Sequence, residues 1–217
     1  MFTSFAENRH LRPFLLGFHG CDEAVGEAIL SGRLSHLEPS TNPYDWLGDG
    51  IYFFENDPDR AMHFAVTSQQ NPHKKYTSKP IHKPFVLGAI IDPGACLDLT
   101  HQQGIKQLKW AVDVMKFIFG QQNRALPRNK PADAGDKVIL IRNLDRAAVN
   151  YLHTLREKHG MPPVDTVRSS FLQGDCIAET SAFREYSHTQ IAVRNANSII
   201  GYFRPQFVIV DPFEGAA

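Results

Sequence analysis

The chain has 217 residues, which is enough for one domain with an extensive core or for two small domains at most. Its composition, 42% hydrophobic and 21% charged, is typical of a soluble globular protein. The 23 basic residues are balanced by 23 acidic ones, so the chain lacks the overall basic excess with which many proteins hold nucleic-acid phosphates.

The first half of the chain alternates between short β-rich segments and helices. Asp22 suits the N-cap of the first helix, Gly32 ends that helix, and Pro58 suits the first turn of the second. The patterns predict, in order, a strand over residues 14–19, a helix between Asp22 and Gly32, a loop over 33–50, a strand over Ile51–Glu55, a helix over 58–67 and a buried strand over 85–92.

The second half contains two longer helical segments and then returns to strands. The first helix is predicted from Thr100 to residue 119, with a buried stripe formed by Ile105, Leu108, Val112, Met115 and Phe119. A second helix is predicted over 143–159, and strands over 189–194, Ile199–Phe203 and 207–210. These elements predict a single α+β domain over residues 1–217, with a mixed or largely antiparallel sheet and a mostly helical insertion at 100–165.

Several other features limit the chemistry of the chain. Three widely spaced cysteines without a CxxC pair predict reduced thiols in a cytoplasmic protein, and no metal site. The first twelve residues lack the apolar core of a signal peptide, and no apolar run approaches the roughly 20 residues that span a bilayer, so we expect no membrane contact. Lys74, Lys75, Lys79 and Lys83 form either a local basic patch or, as is more common, an ordinary solvated loop.

The first candidate site is His19-Gly20, at the end of the first strand. Because side chains alternate along a strand, His19 shares a face with the small Gly17, where a ligand has room to approach. Gly20 lets another group come close to its backbone N–H and C=O. Taken alone, the pair is more often simply a strand end before a turn.

The second candidate is the stretch GDGIYFF at residues 48–54. Strand alternation places Tyr52 and Phe54 on one face, and an exposed tyrosine can stack on a flat heterocycle and hydrogen-bond through its hydroxyl. A turn into an ordinary core strand explains the same pattern.

The third candidate is the late strand over 189–194. In this strand Gln190 points away from the more apolar face and lies next to the small Ala192. By itself this pattern fits an amphipathic strand with one solvated face.

These three segments, in this order, resemble the ADP-ribosyltransferase superfamily, in particular the branch of diphtheria toxin and the poly-ADP-ribose polymerases. Phe18-His19-Gly20 matches the early His-Gly motif of that branch, and residues 48–53 match its Gly-x-Gly-Ile-Tyr-Phe segment. The helix with His63 and Phe64 lies where the branch places a second aromatic residue. The match covers residues 14–65 well and 185–210 weakly, and it has no clear counterpart for 100–165.

The resemblance implies a split sheet with NAD, as co-substrate, in the cleft between the two halves. Gly20 would pair through its backbone with the nicotinamide carboxamide, and His19 would bond to the adenosine ribose. Tyr52, with His63 or Phe64, would sandwich the nicotinamide ring. The implied activity is the transfer of ADP-ribose from NAD to a macromolecule, either protein or RNA. By analogy with small toxins and phage-defence effectors, a neutralising partner is also implied.

The chain departs from the family at the third motif, where Gln190 stands in place of the usual catalytic glutamate. A glutamine can hydrogen-bond the ribose hydroxyls but cannot oppose the positive charge that develops on the ribose, and losing such an interaction costs about 3 kcal/mol or more. Either Glu185 supplies the carboxylate, or the triad is His-Tyr-Gln. The alternative function is a catalytically inactive module that binds NAD or ADP-ribose.

Overall fold

A computed structural model of the chain describes residues 13–206, apart from residues 43–44, 75–76, 78, 132–138 and 140. The described part contains seven strands and four α-helices. In chain order these are β1 (Leu15–Asp22), α1 (Glu23–Leu30), β2 (Ile51–Glu55), α2 (Pro58–Gln70), β3 (Pro84–Ile91), β4 (Cys96–Asp98), α3 (Gln102–Gln121), α4 (Asn143–Lys158), β5 (Thr166–Phe171), β6 (His188–Val193) and β7 (Ile199–Phe203).

The strands form one sheet in the order β4-β5-β6-β2-β1-β3-β7. All neighbouring strands are antiparallel except β4 and β5, which are parallel. The predicted α+β class with a mixed sheet is therefore confirmed. At the centre of the sheet, β1 and β2 pair only at Gly17–Glu55 and Phe18–Phe54, although β1 has eight residues and β2 has five.

Helices cover both faces of the sheet. On one face, called here the α1 face, Ile29 of α1 packs in a core cluster with Phe53, Leu87 and Ile191. On the opposite face, the α2–α4 face, Ala61 of α2 packs against Phe18 and Phe54. The helices α3 and α4 pack on the same face, over β4, β5 and β6. The predicted helical insertion thus contributes to the core, while the division into one domain and an insertion stays a prediction.

Local signals in the sequence determine most of the element boundaries. The bounds of β2 and β7 are as predicted. The Asp22 carboxylate caps α1 by accepting the N–H of Ala24, and Asp57 caps α2 ahead of Pro58. The strands β4 and β5 were not predicted, because β4 has only three residues and β5 has three consecutive polar residues, Arg168, Ser169 and Ser170. The predicted strand over 207–210 lies outside the described residues.

The buried stripe of α3 differs from the prediction. Its buried residues are Gly104, Ala111 and Met115, whereas Ile105 is 50% exposed. A Cβ added to Gly104 would overlap the carbonyl oxygen of Asp98, so the first turn of α3 packs directly on the end of β4. Apolar periodicity does not identify such a contact, because glycine contributes no side chain to the pattern.

Two expectations about the surface concern the cluster of four lysines and the absence of a membrane-spanning segment. Of the four lysines, Lys79 pairs with Glu38 at 3.4 Å and Lys83 with Glu23 at 2.8 Å, while Lys75 lies outside the described residues. In the part of the chain that the structure describes, no helix is both long and apolar enough to cross a membrane.

Candidate functional site

The central feature of the site is the place where β1 and β2 separate. Continuing their register beyond Phe18 and Phe54 would set Gly20 opposite Tyr52, but the ladder does not extend that far. In its place, the ring of His19 donates a hydrogen bond from Nδ1 to the backbone oxygen of Tyr52 at 2.7 Å. The sheet therefore opens between Gly20 and Tyr52, and this opening is called the gap below.

The backbone of Gly20 faces the gap. The oxygen of Leu16 accepts the N–H of Asn56, at 2.9 Å, so Leu16 directs its backbone groups towards β2. Because backbone direction alternates along an antiparallel strand, the N–H and C=O of Gly20 point the same way. On the α2–α4 face a Cβ added to Gly20 would overlap the carbonyl oxygen of Ala61. Glycine is therefore needed at this position for the packing of α2 as well.

His19 lies on the α1 face beside the gap, with its ring against Phe53 at 5.8 Å. A carbonyl oxygen only accepts, so Nδ1 carries the proton; burial lowers the pKa of His19 and keeps the ring neutral. Nε2 is then an acceptor suited to a hydroxyl. The expected room beside Gly17 is not present, because a Cβ there would lie 2.8 Å from Phe53 and 2.7 Å from Ile91.

Tyr52 lies on the α2–α4 face, and its hydroxyl is bound within the preceding loop. It donates to the oxygen of Gly48 at 2.8 Å and accepts the N–H of Leu47 at 3.0 Å. Burial raises the pKa of Tyr52 well above that of an ordinary tyrosine. The expectation of an exposed tyrosine with a free hydroxyl is therefore wrong: Tyr52 is half-buried, and the hydroxyl holds the loop.

Gln190 pairs with Phe54 in the register of β2 and β6 and lies on the same face as Tyr52. The indole N–H of Trp46 lies 2.7 Å from Gln190 Oε1, and an indole nitrogen is a donor only. Trp46 therefore fixes the amide with its oxygen engaged, which leaves the NH₂ group to donate to a ligand. Gln190 is half-buried, so the expected solvated face of this strand is covered.

Glu185 does not join this group. It is exposed in the loop between β5 and β6, where its backbone N–H bonds to the oxygen of Asp175 at 3.0 Å. Among the described residues, no contact of its side chain with Tyr52 or Gln190 is found. Gln190 thus presents its NH₂ group as a donor, and no carboxylate of the described residues is found beside it.

The two aromatic candidates on α2 differ in position. The exposed ring of His63 stacks on Tyr186, with centroids 4.5 Å apart and an angle of 19° between the planes. Phe64 is half-buried and packs towards Phe54 at 6.2 Å. A ligand ring that stacks on His63 from that side would have to replace Tyr186.

Arg60 belongs to this region and was missed by motif reasoning. Its guanidinium carbon lies 5.0 Å from the centre of the Phe54 ring and 5.7 Å from that of Tyr186. It donates to Gln173 Oε1 at 2.8 Å, and burial lowers the pKa of Arg60. No carboxylate of the described residues lies within 4.0 Å of it. A charged residue in a first helical turn is too common to signal a site, and only the tertiary structure shows that this cation is unpaired.

His188 was also missed. It is buried between Phe54, at 4.9 Å, and Phe171, at 5.4 Å, and its Nδ1 donates to the oxygen of Tyr186 at 2.6 Å. Burial lowers the pKa of His188 to about 4, so the ring is neutral. A second guanidinium, that of Arg142, lies 4.4 Å from the Phe171 ring.

Two cavities lie away from the gap. One of about 560 Å³ is bordered by α4 and includes Asp49, His153 and Arg194. The other, of about 480 Å³, lies by the first turns of α3 and includes Asp98 and Arg168. Across the described residues, no group of three or more His, Cys, Asp or Glu side chains is arranged to hold a metal ion.

No protein-family model, curated protein or solved structure matches this chain. The family resemblance therefore depends on the sequence motifs alone.

Proposed function

We propose that this protein is an ADP-ribosyltransferase that uses NAD as co-substrate. The observation that supports it best is the opening of the central ladder at Gly20 and Tyr52. The backbone of Gly20 faces this opening, and His19 and Gln190 lie beside it on opposite faces of the sheet.

In this proposal NAD passes through the gap from one face of the sheet to the other. On the α1 face, Nε2 of His19 accepts a hydrogen bond from a hydroxyl of the adenosine ribose. Within the gap, the N–H and C=O of Gly20 pair with the nicotinamide carboxamide. The nicotinamide ring lies by Tyr52 and by His63 or Phe64, and its entry beside His63 displaces Tyr186.

The chemistry is cleavage of the bond between nicotinamide and ribose. The electron pair of that bond moves to the ring nitrogen, and the acceptor forms a new bond to the same ribose carbon while its own N–H or O–H proton is released to solvent. The NH₂ group of Gln190 orients the ribose by donating to a hydroxyl oxygen, but it adds no negative charge. Catalysis then relies mainly on positioning the reactants. The missing carboxylate raises the activation barrier by about 3 kcal/mol and lowers the rate accordingly.

The proposal includes a macromolecular acceptor, either protein or RNA. By analogy with toxins and phage-defence effectors it also includes a partner that neutralises the activity, and it places the protein in the cytoplasm. The acceptor and the neutralising partner depend on the resemblance alone, whereas the cytoplasmic location depends on the three cysteines that are expected to be reduced.

The experiment uses NAD labelled in its ADP-ribose part. Purified protein is incubated with this NAD and a bacterial lysate, and the sample is divided between protease and ribonuclease before gel analysis. If protease removes the label, the acceptor is a protein; if ribonuclease removes the label, the acceptor is RNA. The variant Gln190→Ala should bind NAD but transfer little label. The proposed transferase activity is contradicted if no label is transferred and no nicotinamide is released at any protein concentration.

The second candidate function is a module that binds NAD or ADP-ribose without cleaving it. It is favoured by two observations: Trp46 holds the carbonyl of Gln190, and Glu185 is exposed in the loop between β5 and β6 with no side-chain contact to Gln190 among the described residues. In this case wild-type protein binds NAD and releases no nicotinamide, and Gln190→Ala changes binding alone.

A further inference from the structure

Several buried side-chain atoms have no hydrogen-bond partner among the described residues, and one of them belongs to the wall of a cavity. These atoms are Arg60 Nε, Ser68 Oγ, Asn143 Oδ1, Arg146 Nε, His153 Nε2 and His188 Nε2. Of these residues only His153 lines one of the two cavities described above, the one of about 560 Å³ beside α4, called here the α4 cavity. Buried polar groups are normally satisfied, so an unpaired atom at a cavity indicates a ligand.

Two arginines that line the α4 cavity have no acidic partner. The guanidinium of Arg194, exposed directly after β6, lies 3.5 Å from the backbone oxygen of Asp49, which is longer than an ordinary hydrogen bond. Arg156 donates to neutral oxygens, those of Pro162 and Gln107. Within the described part of the chain, no carboxylate lies within 4.0 Å of either guanidinium. Both cations are therefore available to an anionic ligand.

Two acidic residues also line the α4 cavity, but they do not cancel this positive charge. Asp49 Oδ1 already accepts from Arg146 Nη2 at 2.7 Å and from Asn150 Nδ2 at 3.2 Å, so a cation outside the cavity compensates its charge. Glu157 is exposed on α4, where solvent and salt screen its charge. The two unpaired arginines thus outweigh the one unpaired carboxylate.

The ring of His153 lies in the same positive surroundings. Burial lowers the pKa of His153 to about 3, the charges of Arg194 and Arg156 lower it as well, and Asp49 acts in the opposite direction. The ring is therefore neutral and carries one N–H. With this proton on Nε2, His153 is a donor beside two cations, which is a suitable setting for an anion.

We propose that the α4 cavity binds the terminal phosphate of a small phosphorylated molecule. Arg194 and Nε2 of His153 donate to phosphate oxygens, and Arg156 adds positive charge. A phosphate monoester carries about 1.5–2 negative charges at pH 7 and has three acceptor oxygens, so it matches donors on separate elements better than a planar carboxylate does. The site lies away from the gap, and the inference does not depend on NAD cleavage.

The size and lining of the α4 cavity indicate a phosphate ester and not a free phosphate ion. Its volume of about 560 Å³ lies within the range of small-molecule sites. The wall also includes the apolar side chains of Met161, Pro163 and Val164, of which Val164 is buried. These side chains pack on the organic part of the ligand, while the arginines bind its phosphate.

The test measures binding of three probes by calorimetry: phenyl phosphate, inorganic phosphate and phenol. Wild-type protein should bind phenyl phosphate most tightly, because it alone has both a phosphate and an apolar part. Arg194→Gln should weaken phenyl phosphate and inorganic phosphate roughly tenfold or more, as expected for a lost hydrogen bond from a charged donor, and leave phenol unchanged. Arg194→Lys keeps the charge but not the fork of donors, so it should lose less.

Two further variants separate the ligand contact from other effects. His153→Leu should weaken phenyl phosphate without lowering the Tm of the free protein, because Nε2 has no partner there to lose. Arg124→Gln is the matched control for charge: its guanidinium stacks on Phe119 at 4.8 Å and does not line the α4 cavity, so binding should not change.

The inference is overturned if wild-type protein binds phenyl phosphate no more tightly than phenol, or if Arg194→Gln weakens it no more than Arg124→Gln does. Equal affinities for phenyl phosphate and inorganic phosphate would overturn the assignment to an ester. An unchanged affinity in His153→Leu would overturn the role of His153. If His153→Leu does not fold, the Arg194 comparison still decides whether the cavity binds phosphate.

Discussion

Tyr52→Phe removes one hydroxyl and tests whether that group serves the fold or a ligand. The Tyr52 hydroxyl accepts the N–H of Leu47 at 3.0 Å and donates to the oxygen of Gly48 at 2.8 Å. Both of these backbone groups belong to buried residues. A buried polar group that loses its partner costs about 1–3 kcal/mol, so the two together should destabilise the protein by about 2–6 kcal/mol. For a chain of this length, about 2 kcal/mol corresponds to a fall in Tm of roughly 4–8 °C.

The assay combines thermal unfolding with NAD binding measured well below the Tm. The variant should show the lower Tm but bind NAD almost as tightly as the wild type, because the aromatic ring remains. Tyr151→Phe is a suitable control: Tyr151 is half-buried against the same core cluster as Tyr52, and no hydrogen bond of its hydroxyl is found within the described residues. An unchanged Tm together with a tenfold loss of NAD binding would show that the Tyr52 hydroxyl acts on the ligand, and would refute the structural role.

Three further predictions concern the framework of the site. Gly20→Ala should lower the free energy of unfolding in urea by about 1–3 kcal/mol, because its Cβ overlaps the backbone oxygen of Ala61; unchanged stability would contradict that packing. Arg168→Met should cost about 3–5 kcal/mol in the same assay, since it leaves Glu55, whose side chain is 9% exposed, without its cation; a loss under 1 kcal/mol would contradict the buried pair. The pKa of His188 is lowered to about 4 from an ordinary 6.5, so the stability that its neutral ring contributes is complete above pH 6.5 and is lost as the pH falls towards 4. Wild-type protein should lose about 1.4 kcal/mol per pH unit there from this group, and His188→Leu should lose correspondingly less; equal losses would contradict the burial of a neutral ring.

Much of the fold follows from local sequence. Pro58 with its capping aspartate, the apolar run of β3 and the aromatic β2 each specify an element through nearby residues. The strand β5 does not, because Arg168 in its middle is stabilised by Glu55 and Asp98, which lie 113 and 70 residues away in the chain. The separation of β1 from β2 is likewise a property of two distant strands and leaves no local signal.

The candidate site, too, could be predicted from local sequence only in part. Local motifs indicate His19-Gly20 and Tyr52, and strand alternation correctly puts Tyr52 and Phe54 on one face. The orientation of the Gln190 amide depends on Trp46, 144 residues away, and could not be predicted. Arg60 and His188 are distinguished by the partners they lack, which only the packed structure reveals.

The most direct test of the proposed site is a crystal structure of the protein grown with NAD or nicotinamide. We expect nicotinamide at the gap, with its carboxamide beside the Gly20 backbone. A ligand in the 560 Å³ cavity by α4, or no bound ligand at saturating concentration, would contradict the assignment of the site.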